Sequence, residues 1–246
     1  MARRWHRPGA FAIVLTLAGV ALFVWLGTWQ VRRAHEKLQL FAAFDAAAAQ
    51  EPIALEQARR EADPARYPRV RVGGRYDPDH AYVLDNQVRE GRPGVMVFDV
   101  FEPSDGSTPL LANRGFLARD ARGEPPPIPP PPSGEQTVTA LYAPPPGSGL
   151  HLGGNALPRQ KTWPKTSIYI DLGEVAADLG RRLDPRVLLL VPGDNGVPGS
   201  AFVREWRPEV FPPERHYGYA FTWFMFAAVA VAIFVIRHWR KEEIRK

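Results

Sequence analysis

His216-Tyr217-Gly218-Tyr219-Ala220-Phe221-Thr222-Trp223-Phe224 opens an apolar run that continues without a formal charge to Ile236. A matching run from Gly9 closes on Leu26-Gly27-Thr28-Trp29-Gln30. A helix needs about 20 apolar residues to cross a hydrocarbon core about 30 Å thick, and both runs reach that length. Two spans return both ends of the chain to one side and leave the middle on the other. The two aromatic and polar sequences both border that middle, so they share one membrane face. The organisation expected is a tail (1–8), a span (9–30), a central domain (31–215), a second span (216–236) and a second tail (237–246).

Charge orients the chain. Arg3, Arg4 and Arg7 precede the first span, and Arg237, Arg240, Lys241, Arg245 and Lys246 follow the second against Glu242 and Glu243. Each tail is net +3, leaving −1 on the middle of a chain whose total is +5. Basic residues within ~15–20 positions of a span decide orientation, whereas long translocated domains contribute little. Around the first span Arg32, Arg33 and Lys37 make a near tie; around the second the excess is clear. Both tails therefore read as cytoplasmic, or as facing the equivalent compartment if the membrane belongs to an organelle; the location expected is a bacterial inner membrane crossed twice, with a periplasmic central domain. A nucleic-acid partner is not expected, because the basic surplus is confined to the tails. A signal peptide would have an apolar stretch of ~7–15 residues and a small-residue cleavage site. Here the run is longer and Trp29-Gln30-Val31-Arg32-Arg33 follows, so an uncleaved anchor is expected.

The central domain is long enough for one core. It has no cysteine, which removes disulfides and thiolate chemistry. Val31 to Gln50 reads as a helix continuing beyond the membrane. Tyr67 to Tyr76 alternates Val70 and Val72 with Arg69 and Arg71, the period of a half-buried strand. Asp77-Pro78-Asp79 reads as a turn into a second strand, Ala81 to Leu84. Gly91 to Gly94 leads into Val95 to Phe101, and Asp105-Gly106 is a hairpin signal before Pro109 to Phe116. Further strands are expected at Gln136 to Tyr142, Ser167 to Asp171, Arg186 to Val191 and Ala201 to Trp206, with one helix over Leu172 to Leu183. Glu124 to Ser133 holds seven prolines and should be extended polyproline II, either a stiff connection or a docking ligand for a partner. The fold class expected is a membrane protein, α+β, with two transmembrane helices flanking a predominantly antiparallel sheet or barrel.

Enzyme signatures are sparse. There is no Gly-Lys-Ser phosphate loop, no GxGxxG and no Gly-x-Ser-x-Gly elbow. His6, His35, His80, His151, His216 and His238 show no metal-ligand spacing. Asp77, Asp79 and His80 could hold a cation, but a polar turn explains them better. Copper handling through sulfur is nearly excluded with three methionines and no cysteine. The membrane edge carries more. His216, Tyr219 and Trp223 fall at i, i+3 and i+7 and share a helix stripe. Pro212 and Pro213 suit a helix start, which puts His216 in the opening turn. Trp29 and Arg33 share a face of the first helix, beside Gln30. An interfacial aromatic belt accounts for Trp29, Tyr217 and Tyr219; it explains Gln30, His216 and Thr222 less well. A neutral imidazole there can ligate haem iron, with Arg33 near a propionate. Hydrogen bonding between helices is the competing reading, and Ala228 and Ala232 would allow close packing.

These residues resemble the Surfeit-locus (Surf-one) family of cytochrome c oxidase assembly proteins. Leu26-Gly27-Thr28-Trp29-Gln30 with Arg33 and Lys37 is similar to its opening signature, and His216-x-x-Tyr219-Ala220-x-Thr222-Trp223-Phe224 to its closing one. Gly74-Arg75-Tyr76, Gly91 to Gly94 and Leu111-Ala112-Asn113-Arg114-Gly115-Phe116 are similar to its central blocks. Trp163-Pro164 with Tyr169-Ile170-Asp171 is a looser match. Glu36 departs from a frequent aromatic residue, Ala112 from a frequent valine, and the proline insert stands apart. The resemblance implies a non-enzymatic role, helping haem a reach the catalytic subunit of the oxidase, with haem a synthase as a further candidate partner. It also implies His216 as the axial metal ligand, with Trp29, Gln30, Arg33, Tyr219, Thr222 and Trp223 lining the site. Asn113 and Arg114, closing a strand-like segment, read as structural turn residues, with a position facing the membrane as the alternative. The alternatives are a membrane-anchored scaffold that holds an oxidase subunit without haem and a membrane-tethered enzyme.

Overall fold

The computed structural model describes residues 3–61, 67–124, 127–146, 154–191, 201–208 and 211–241. His151, residues 125 and 126 of the proline run, and the charged tail residues Glu242, Glu243, Arg245 and Lys246 lie outside them. In chain order the elements are β1 (Arg3–Trp5), α1 (Ala10–Ala49), β2 (Ile53–Ala54), α2 (Leu55–Arg60), β3 (Arg69–Arg89), β4 (Arg92–Pro103), β5 (Leu110–Ala118), β6 (Glu135–Ala143), β7 (Lys165–Ser167), α3 (Leu172–Leu179), β8 (Val187–Leu190), α4 (Pro213–His238) and β9 (Trp239–Lys241). The chain divides into two units, residues 1–41 with 210–246 and residues 42–209.

In the central unit, β3 is 21 residues long and serves two neighbours. Its first part pairs antiparallel with β6 from Arg69 to Arg75, and from Gly74 onward it pairs antiparallel with β4. β4 pairs antiparallel with β5, β5 parallel with β8, and β8 antiparallel with β6. The five strands thus close into a ring whose order is first, second, third, fifth, fourth and back to the first. This is the Greek-key arrangement of OB-type barrels. β2 and β7 add to β3 in parallel. The sheet is therefore mixed, where a predominantly antiparallel one was expected. Alternating hydrophobicity has a period of two whichever way a neighbour runs, so it carries no information about direction.

Asp77 to His80 does not turn the chain. Tyr76 faces Phe101 and Ala81 faces Asp99, so four residues of β3 bulge out against Val100 of β4 and one strand continues. Pro78 has no N–H for the ladder, and a bulge is where a strand tolerates that. Asp77 accepts from the Asp79 amide (3.0 Å), lies 2.8 Å from His80 Nδ1 and pairs with Arg181 at 2.7 Å. Its neighbours are thus accounted for without a cation. The hairpin at Asp105-Gly106 forms as expected, with Gly106 at φ 72. Of the other expected strands, Ser167 to Asp171 is replaced by the shorter β7, and Ala201 to Trp206 contributes a single bridge, Phe116 to Val203. The expected helix from Leu172 stops at Leu179, because Gly180 takes the left-handed cap (φ 66); Asp171 caps the other end by accepting from Glu174 N.

Val95, Val97, Asp99 and Phe101 alternate onto one face of β4. Phe101 joins Val70, Val72, Leu110, Val138, Tyr142 and Leu188 in a cluster completed by Leu55 and Ala58 of α2. Val95 and Val97 join Val83, Leu117, Phe202 and Ile128. Between the two clusters lies a buried ion pair, Arg114 Nη1 to Asp99 Oδ2 at 3.0 Å. Arg114 also donates to the carbonyls of Pro129 (2.7 Å) and Pro130 (3.1 Å) and stands 4.5 Å over the Phe202 ring. The described part of the proline run is therefore held by its own chain, through Ile128 and two carbonyls. Asn113 and Arg114 are structural, as expected, but they sit within a strand and not in a turn. The opposite face of β4 is covered by α3 and Trp163, and β6 and β8 are covered by Phe44 of α1.

Burial pushes the Asp99 carboxyl up to about 6, against the pull of Arg114. The unfolded value is about 3.9. The protonated form therefore favours folding; its contribution is full below the unfolded value and is lost as pH rises through about 6. Urea titration of the wild type and Asp99→Asn should show the wild type losing on the order of 2–3 kcal/mol relative to the variant between pH 4 and 7. A difference that does not change with pH would refute this.

Candidate functional site

The other unit is built on α1 and α4, both long and apolar enough to cross a membrane. Only 6% and 11% of their most apolar windows are buried, so neither is the core helix of a soluble domain. The less exposed positions on α1 include Val20, Phe23, Gly27, Gln30 and Ala34; on α4 they include Pro213, His216, Ala220, Trp223, Ala227 and Ala230. Both series step by alternating threes and fours, the seven-residue seam of two helices wound together. Gly27 is the contact point, because a Cβ there would lie 2.6 Å from the Phe224 ring. Phe23 stacks on Trp223 with centroids 5.9 Å apart. The small residues that face the partner helix are Ala220 and Ala227; Ala228 and Ala232 are exposed. Beyond the apolar stretch the two tails pair antiparallel, Trp5 opposite Trp239 and Arg4 opposite Arg240, and His6 N donates to His238 O at 2.8 Å.

At the other end of the seam, Gln30 Oε1 and His216 Nδ1 are 2.8 Å apart. Pro212 is the extended N-cap of α4 and Pro213 its first helical residue, where a missing N–H costs nothing. This start places His216 in the opening turn, as the sequence predicts. His216 Nε2 is buried and has no hydrogen-bond partner among the described residues. A buried polar atom left without a partner is uncommon and costly, which makes it a feature needing a cause. Phe211 stands beside the imidazole, 6.2 Å between centroids.

The remaining candidates occupy three situations. Trp29 is exposed, with the Arg33 guanidinium 6.0 Å over its ring; Arg33 also donates to Glu36 at 2.7 Å. Trp223 lies on the seam against Phe23, seven residues beyond His216. Tyr219 is half exposed, and Thr222 gives its hydroxyl to Gly218 O within its own helix at 3.1 Å. The structure thus brings Gln30 to His216 and Trp29 to Arg33, and leaves Tyr219 and Thr222 on flanking positions of α4. Gly27 and Phe23 went unassigned in the sequence reading, although a glycine at seven-residue spacing from Val20 and Ala34 was a readable signal of close helix contact. A groove of about 650 Å³ on the barrel, lined by Gly74, Arg75, Glu102 and Glu135 among others, includes none of the candidate residues.

Gly27→Ala should separate the helices. The full-length protein in detergent should lose stability by about 1–3 kcal/mol, the usual cost of overpacking, read as a lower Tm. Phe224→Ala in the same chain should recover part of the loss. An unchanged Tm for Gly27→Ala would mean the helices do not meet there.

Comparison with known proteins gives a consistent result. A SURF1 family model matches residues 17–228, which takes in most of α1, the whole barrel and the first part of α4. Over 108 residues the chain is 34% identical to Surfeit locus protein 1 of Rattus norvegicus, a match covering 38% of this chain and 35% of the rat protein's length. It is 29% identical over 204 residues to a SURF1-like protein of Mycobacterium bovis, covering 78% of this chain and 73% of that one. Surfeit locus protein 1 of Xenopus tropicalis is 28% identical over 250 residues, covering 95% and 76%. With a family match that spans most of its length, the chain belongs to the SURF1 family.

Proposed function

We propose that this protein is an assembly factor for haem–copper (cytochrome c) oxidase, and that it receives haem a at the membrane edge for the catalytic subunit. SURF1 proteins are known in general for oxidase assembly, which supports the first part. One observation carries the second: the buried Nε2 of His216, which has no partner among the described residues. An unprotonated imidazole nitrogen is a standard axial ligand for haem iron, and a haem supplies an iron with open axial positions. Haem is cargo in this reading. His216 would ligate it, Trp29, Tyr219 and Trp223 would offer aromatic surface, Arg33 a cation for a carboxylate, and Gln30 and Thr222 polar contacts. Arg33 must release Glu36 first, but an exposed pair of this kind is worth only about 0.3–0.5 kcal/mol.

The same reading places the protein in the bacterial inner membrane, with both tails cytoplasmic and the barrel periplasmic. Two features support it: the excess of basic residues in the tails, and the β1–β9 ladder, which requires both ends of the chain on one side. The catalytic oxidase subunit is the first partner proposed and haem a synthase the second.

Deleting the gene and recording reduced-minus-oxidised spectra of the membranes should remove the haem a signal while b- and c-type signals stay. Restoring the chain as His216→Ala should give normal protein levels but a low haem a signal. Full recovery by His216→Ala would reject the ligand role and favour a scaffold, whose grip on the oxidase subunit would survive haem depletion. Unchanged spectra after deletion would reject the assembly role.

A further inference from the structure

An amide on a membrane-spanning helix costs free energy unless it is hydrogen-bonded. Gln30 meets that requirement against a ring on the opposing helix. Its Oε1 carries no proton, so the 2.8 Å contact forms only with the proton on Nδ1 of His216. The neutral ring then has its lone pair on Nε2, the atom that is buried without a partner among the described residues. Free histidine favours the opposite tautomer, with the proton on Nε2.

Two other histidines of this unit show what is unusual. His35 and His238 direct Nδ1 to carbonyls four residues earlier in their own helices, Val31 O at 2.9 Å and Phe234 O at 2.7 Å. Neither ring depends on the opposing helix for that bond. His216 is fixed from across the seam, so its tautomer and the rotation of its ring depend on how α1 and α4 meet.

We propose that Gln30 is a positioning residue, whose amide oxygen fixes His216 as the Nδ1–H tautomer and so presents the Nε2 lone pair for ligation. The purpose of this arrangement rests on the haem-ligand reading of His216, but the tautomer does not. Residues that orient a ligating imidazole through its other nitrogen are worth roughly 10–100-fold in metal affinity.

The test uses the full-length protein in lipid nanodiscs, labelled with ¹⁵N-histidine and held at mildly alkaline pH. His216→Ala identifies the His216 signals. The ¹⁵N shifts should report Nδ1–H in the wild type, a move toward Nε2–H in Gln30→Leu, and a return to Nδ1–H in Gln30→Glu, which keeps an acceptor. Hemin titrated by absorbance should bind about 10–100-fold more weakly to Gln30→Leu than to wild type or Gln30→Glu. An Nε2–H ring in the wild type overturns the proposal without reference to any variant. Wild-type hemin affinity in Gln30→Leu alone also overturns it. If the tautomers behave as stated but His216→Ala binds hemin as well as wild type does, the haem-ligand reading fails while the positioning by Gln30 stands.

Discussion

The central unit depends on one strand having two partners at once. At Gly74 and Arg75, β3 is paired with β6 on one side and with β4 on the other, and the ring closes there. A Cβ at Gly74 would stand 2.3 Å from Glu102 O and 2.7 Å from the Phe101 ring, so the junction admits only glycine. Closure removes the long unpaired edges that make open sheets prone to association. It also fixes where everything else goes: α2 completes one apolar cluster, the proline segment and Phe202 complete another, and α3 covers the outside of β4.

Both units bury polar groups. Several of those in the barrel are satisfied more than once. Arg114 bonds a carboxylate and two carbonyls, Asp178 takes Tyr82 and Lys165, and Asp184 takes Arg59, Tyr142 and the Arg186 amide. Such networks hold a fold in one arrangement, since removing one member leaves another stranded in low dielectric. Between the helices the account is left open. His216 has one nitrogen engaged and one idle, at the point where the seam reaches the end of its apolar stretch. In the central unit, Arg69 Nε and Ser107 Oγ are likewise buried without a partner among the described residues.

Much of this was readable from the residues. The two long apolar helices, the extension of α1 to Ala49, the Asp105-Gly106 hairpin and the strands β4, β5, β6 and β8 all follow from length, period and turn chemistry. So did His216 in the opening turn of α4. What escaped was non-local. The parallel pairing of β5 with β8 leaves no trace in either strand, and the bulge at Pro78 looked like a turn because both use the same residues. The proline run offered no sign of the arginine that holds it, because Arg114 lies on another strand. The bond from Gln30 to His216 needed the register of two helices, and the register was misjudged at Ala228 and Ala232, where a count of small residues could not tell one face from the next.

The residues that meet at that bond are 186 positions apart in the chain. A ribosome adding roughly 5–20 residues per second would take about 10–40 s to pass from one to the other. Throughout that interval the first helix has no second helix to bind, and its amide has no imidazole. The imidazole is made only after the whole barrel sequence, which ends before it in the chain. A chain cut short before the second helix by a premature stop or a protease would keep its barrel sequence and Gln30 but lose His216. His216 can thus meet Gln30 only after every strand of the barrel has been made.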